Sequence, residues 1–278
     1  ENFQASYTLT GGETNGLLTS TISVTDYYGN QNEYSGSTDG SRVRFDGILP
    51  TANTVTLTSG NPWNQSWAKV GDSIQFFVET SEEVLNISGL VNGNSSSSIG
   101  ISLDQYNLKY IFSDSDIDGL ISFEIVLTDS AGNEGETIIN TTNNSQIIFD
   151  KTNPSTFTVG EINTNGGNIV SEVWNSTNIS LNINIPIDDD NSLDSGRVQL
   201  QAKIGSNNFE NLGNYSFILS NEINSSKTIS ISDDLVESIS GYSENDTIII
   251  SALIFDIPGN MSSGNPSLIK LVINESLP

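Results

Sequence analysis

Apolar residues in this chain come in short alternating runs. "SIQFFVE" (73–79), "ISFEIVLTD" (121–129), "ISLNINIPI" (179–187), "RVQLQAKI" (197–204) and "TIIISALIFD" (247–256) place every second side chain on one face. That period of two predicts β-strands, each with one buried face. No long segment has a helical period. "DDLVESIS" (233–240) predicts one helical turn, with Asp233 as its cap.

The runs also repeat. With Tyr7 set against Tyr110, residues 7–30 align without a gap on 110–133, an offset of 103. After a one-residue shift, "SRVRFDGILPT" aligns with "SQIIFDKTNPS", so that Asp46 falls on Asp150 and Pro50 on Pro154. A looser third copy ends in "IIISALIFDIPGN" and "LIKLVINESLP", where Asn274 or Glu275 stands near the Asp position. A repeat in this order predicts three units: 1–49, 50–153 and 154–278. The first is a half unit, matching only the C-terminal half of the second. It therefore begins in mid-domain or is completed by another chain, because an isolated half sandwich would expose an apolar face. Pro50, Pro154 and Pro278 follow terminal strands and suit stiff linkers.

"AKVGDSIQFFVETSEEV", followed by "DGLISFEIVLTDSAGN" and "IIFDKTNP", resembles bacterial immunoglobulin-like tandem repeats of long cell-surface proteins and adhesins. The third unit, with "WNSTNISLNINIPIDDD" and "FDIPGN", resembles a longer repeat of the same kind. The resemblance implies an all-β fold of tandem immunoglobulin-like Greek-key sandwiches in a rod-like array, extracellular or at a cell surface. It implies a spacer that holds a distal binding region away from the cell. Its partners would be neighbouring domains of the same chain, or other copies in a surface layer or filament.

Composition narrows the chemistry. The 278 residues include 34 acidic and 9 basic side chains, a formal charge of −25. That excess argues against nucleic acid and against an anionic membrane surface. No apolar run is long enough for a membrane-spanning helix. There is no Cys and no His, so disulfides, thiolate sites, a Ser-His-Asp triad and nearly all zinc sites are excluded. The acids sit in turns and linkers rather than across a cleft, so no enzyme is expected.

The acidic loops have a pattern. Asp-x-x-Gly-Asn occurs three times, at 26–30, 129–133 and 256–260, each at an expected hairpin between the last two strands of a unit. Gly suits the turn and Asp accepts its amides. In a sandwich array these hairpins face the linker of the previous unit. At the second junction this topology groups Asp114, Asp116 and Asp118 with Asp150, Asp188, Asp189, Asp190, Asp194, Asp256 and Asn260. At the first, poorer junction it groups Glu13, Asn15, Asp46, Glu79, Glu82, Glu83, Asp129 and Asn133. Carboxylates so gathered repel one another unless a cation sits among them, and calcium takes six to eight oxygens in flexible geometry. "DSDIDG" has the opening of a calcium loop, but Ile125 at its twelfth position and its flanking strands depart from an EF-hand. The expectation is calcium at both junctions, the second foremost; the alternative is a set of solvated acidic loops.

Two further signals remain. Asn-x-Ser/Thr triplets stand at Asn64, Asn86, Asn94, Asn140, Asn143, Asn175, Asn178, Asn214, Asn224, Asn245, Asn260 and Asn274, which could carry glycans in a secreted protein. Trp63, Trp67 and Trp174 could stack on sugars in a carbohydrate-binding module, or cover the open end of a core.

Overall fold

A computed structural model describes residues 2–276; Glu1 and the linker-type Pro278 lie outside them. Strands account for 45% of the residues and helix for 4%, which makes the protein all-β. The chain packs into two compact units. One holds the residues up to Leu57 with Gln75–Tyr110 and Ser122–Ser145; the other holds Thr58–Ile74, Ile111–Ile121 and the chain from Gln146 onward.

A sheet drawn mostly from the first unit has the order Ser97–Gly100, Gln105–Ile111, Ser73–Thr80, Ala52–Ser59. A second has the order Phe123–Asp129, Val84–Val91, Asn94–Ser95. Alternation along Phe123–Asp129 buries Phe123, Ile125 and Leu127 while Glu124 stays exposed. Phe76 meets Phe123 with ring centroids 4.7 Å apart. The same unit holds two small ladders, Thr21–Thr25 with Gln31–Ser35 and Gly16–Leu17 with Arg44–Phe45.

In the second unit Ser180–Ile187 lies between Ile162–Asn165 and Ser225–Ser232. A larger sheet runs Val173–Asn175, Leu271–Asn274, Thr247–Phe255, Arg197–Ile204, Glu210–Phe217, with Met261–Ser263 also paired to Thr247–Phe255. Leu181, Ile183, Ile185, Val198, Leu200, Ile248, Ile250 and Trp174 fill the core. Also in this unit, Gly119–Leu120 pairs with Ile148–Phe149, and Phe112 stacks on Phe149 at 4.4 Å. Antiparallel sheets with inward faces packed in this way are immunoglobulin-like sandwiches.

The internal repeat is written in hydrogen bonds. Gly16 pairs with Phe45 and Leu17 with Arg44; at the matching positions Gly119 pairs with Phe149 and Leu120 with Ile148. Leu18 N donates to Val43 O as Ile121 N donates to Ile147 O.

Two local expectations are corrected. The short helix spans Asp233–Glu237, and Ser232, not Asp233, occupies the cap position. Ser232 is still paired to Ser180 in the sheet, so it is the last extended residue. The expected final strand of the middle repeat (137–149) is broken. Ile138 bridges to Ile125, and then Thr141 Oγ1 donates to Ser145 O across a turn in which Asn144 has φ 57°. Pairing resumes only at Ile148–Phe149.

Candidate functional site

The Asp-x-x-Gly-Asn turn has one geometry in three places. Asp26 N, Asp129 N and Asp256 N donate to the carbonyls of Asn30, Asn133 and Asn260. Gly29, Gly132 and Gly259 have φ of 87°, 92° and 93°, a region that disfavours any side chain. Each Asp carboxylate gathers the turn: Oδ1 accepts from the Asn amide N–H and Oδ2 from the Asn side-chain amide. In the second and third copies the Asn does one thing more. Asn133 Nδ2 donates to Asp46 O at 3.0 Å, and Asn260 Nδ2 donates to Asp150 O at 2.9 Å. The turn thus grips the linker that carries the aligned Asp. Gly135 follows the first of these turns, where a Cβ would stand 2.2 Å from Pro50 O.

The linkers are built alike as well. Asp46 Oδ1 accepts from Ile48 N, and Asp150 Oδ1 from Thr152 N. Asn15 Oδ1 accepts from Gly47 N, and Asp118 Oδ1 from Lys151 N. Glu13 accepts from Thr10 N, as Asp116 does from Ser113 N. These bonds hold the Glu13 carboxyl down at about 2, led by the Thr10 amide.

At the Asp46 linker, one oxygen each of Asp46, Glu82 and Asp129 lies within 4.8 Å of the others, the one such group of three acids among the described residues. Burial, then the neighbouring charges of Asp46 and Asp129, raise the Glu82 carboxyl. Burial opposes ionisation of Asp129 too, but bonds from Asn133, Ala131 and Gly132 outweigh it and the carboxyl is lowered. Three convergent carboxylates form a hard oxygen donor set of the kind that calcium takes. Other residues expected here are engaged elsewhere or apart. Glu79 accepts from Thr54 Oγ1, Asn15 and Glu13 hold the linker and its adjacent loop, and Glu83 is exposed.

At the Asp150 linker the acids are more numerous and more dispersed. Burial raises the Asp150 carboxyl, and repulsion from Asp118 and Asp190 adds to it. Asp256 is fully buried, and burial, with a contribution from Asp150, pushes its carboxyl up to about 7. The rest are engaged by other partners. Asp116 accepts from Ser113, Asp190 from Ser192 and Asp194 from Ser220. The Ser155 hydroxyl and the Asp189 amide lower Asp188, and Asp189 itself is exposed. For Asp114 and Asp116 it is the carbonyls that face a cation: both accept from Lys151 Nζ at 2.7 Å.

This linker also has a clasp that no sequence pattern announced. Asn61 Nδ2 donates to Pro258 O and Asp72 Oδ2, and Lys69 Nζ donates to Gly259 O. The Arg197 guanidinium lies 3.5 Å from the centre of the Trp63 ring and 4.7 Å from that of Phe255. Burial lowers its pKa while Tyr215 and Asp256 oppose that. The only hint in the sequence is a Trp-bearing polar loop at 61–72.

The tryptophans accordingly have structural duties. Trp174 is fully buried, Trp67 pairs with Ile148 in a parallel bridge, and Trp63 covers Arg197. Among the Asn-x-Ser/Thr positions, Asn178 and Asn260 are buried and Asn64 and Asn175 half-buried; Asn86, Asn94, Asn140, Asn143, Asn214, Asn224, Asn245 and Asn274 are exposed.

No protein-family model matches the sequence, and no curated protein is recognisably similar to it. Solved structures do match. Fibronectin(III)-like modules of Clostridium thermocellum CbhA are similar over 79% of this chain and 95% of theirs, at 14% identity and TM-score 0.36. Domains from titin match over 93% of this chain and 75% of theirs, at 9% identity and TM-score 0.39. A Bacteroides ovatus mixed-linkage glucan utilization locus protein, SGBP-B, solved in complex with a mixed-linkage heptasaccharide, matches over 95% and 54%, at 15% identity and TM-score 0.23. Likeness at this level says nothing of what this chain binds.

Proposed function

We propose that this chain is a non-enzymatic structural segment of an extracellular surface protein, and that calcium stiffens its Asp46 linker. The observation that carries the reading is the Asp46, Glu82 and Asp129 trio, drawn from a linker, a loop after Ser73–Thr80 and the conserved-geometry turn at 129–133. A cation there would tie three separate segments through one ion. It would also offset the burial and, after it, the repulsion from Asp46 and Asp129 that raise Glu82. The absence of His and Cys, and the employment of the acids as turn and loop acceptors, support a structural rather than a catalytic role. The partners in this reading are neighbouring domains of the same chain. A sugar-binding role draws no support from Trp174, which no ligand can reach.

Calcium titration by calorimetry tests this. The expected result is a saturable site in the native chain that is lost or weakened at least about tenfold in Glu82→Gln, a change worth about 1.4 kcal/mol. Equal binding by both proteins, or none by either, would reject the reading.

A further inference from the structure

The sheet that carries Ser97–Gly100 is covered along one edge and open along the other. On the far edge Val55 N donates to Thr142 Oγ1, Val55 O accepts from Thr142 N, and Leu57 N donates to Ser145 Oγ. Ser97–Gly100 has no such cover among the described contacts. Its ladder pairs Ser97 with Lys109 and Ile99 with Asn107, and Ile101 N continues it by donating to Gln105 O. In an antiparallel ladder alternate pairs exchange the hydrogen bonds, so Ser97, Ile99 and Ile101 bond inward. Ser98 and Gly100 therefore turn their N–H and C=O groups to the outside. Open edges are ordinarily blunted by charge, proline or a bulge. This one has none of them. Residues 84–103 contain no Asp, Glu, Lys, Arg or Pro, and the register to Gln105–Ile111 is unbroken. The next two charges, Asp104 and Lys109, cancel, in a chain of charge −25. Ile99, Ile101 and Leu103 are 64%, 52% and 68% exposed.

We propose that this edge is a self-association surface, on which the same edge of a second copy adds as an antiparallel strand about a twofold axis at Ile99. Two observations select a second copy. The first is geometric. In that pairing Ser98 of each copy stands opposite Gly100 of the other and exchanges both N–H···O bonds with it. Ile99 then meets its own mate at the intervening position, where side chains approach closest. The second is electrostatic. Two chains of charge −25 repel one another, and an edge without net charge is where their contact costs least. Salt, by screening the rest of the surface, should tighten the pair rather than loosen it. This inference does not depend on calcium.

The test is sedimentation equilibrium of the whole chain, with a chelator present, at protein concentrations up to about 1 mM. The expected result is a reversible monomer–dimer equilibrium, weak as suits a small interface and tightened by added salt. Ser98→Pro removes an outward N–H and no bond of the existing ladder, so it should leave the fold intact and raise the dissociation constant at least about tenfold. Ile99→Asp sets like charges opposite each other at the axis and should abolish the dimer. Slow exchange of the Ile125 amide, which donates to Ile138 O, reports in each variant that the unit is folded. A native chain that stays monomeric throughout overturns the proposal. So does a dimer that survives both substitutions, and one that Ile22→Asp alone dissolves would place the contact on the exposed Thr21–Thr25 strand instead.

Discussion

At the Asp46 linker three carboxylates converge and no Lys or Arg side chain bonds to the turn that grips it among the described contacts. At the Asp150 linker the same turn is gripped by Lys69 and packed near Arg197, and Lys151 ties the adjacent loop. That is three of the nine basic residues in a chain of charge −25. Both linkers share a scaffold, down to the Asn amide on the linker carbonyl. They differ in where positive charge comes from. The protein supplies its own cations at one, and at the other the proposed calcium would supply the positive charge. Counting acids along the chain does not separate the two linkers; the side-chain cations bonded beside the Asp150 turn and loop do.

The largest effect should come from the buried turn. Asp256→Ala strands the Gly259 and Asn260 amides and the Asn260 side chain, and should cost about 3 kcal/mol in urea unfolding. Asp26→Ala, in the exposed copy, should cost less than about 1 kcal/mol. Similar costs would mean that the turn alone, and not its burial against a linker, carries the energy.

Asp256 should also give a pH signature. Its folded carboxyl sits at about 7 against an ordinary 3.8, so between those values the folded state holds a proton that the unfolded state has released. Stability is then full below the ordinary value, falls as pH rises through this window, and levels off above about 7. In Asp256→Asn that fall should flatten. A slope that survives the substitution would assign it to general repulsion among the other acids.

Trp63→Ala removes one face of the Arg197 stack and should cost about 1 kcal/mol. It should leave calcium binding unchanged, as should Lys69→Met, a smaller loss still. A change in calcium affinity in either variant would merge the two linkers into one system and break the comparison.

Much of this was legible in the sequence. Alternation located the strands, and the repeated Asp-x-x-Gly-Asn marked turns that do recur with one geometry, because Gly at positive φ and a short acceptor are local requirements. The second task of Asn133 and Asn260 was not legible, since it depends on a carbonyl far away in sequence. Nor was the Arg197 clasp, which brings together an interior strand and a loop at 61–72. The acids of "DSDIDG" read as ligands in the sequence; in the structure Asp116 and Asp118 accept from loop and linker donors, and Lys151 bonds the Asp114 and Asp116 carbonyls. A local pattern cannot show which donor arrives first.

Hydrogen exchange read linker by linker, with calcium and then with a chelator, tests the central comparison most directly. Calcium at about a hundred times its Kd should add about 2.7 kcal/mol of protection where it binds. The account predicts that slowing at the Ile48 and Asn133 amides, with little change at Thr152 and Asn260. Equal slowing at both linkers, or slowing only at Thr152 and Asn260, would contradict it.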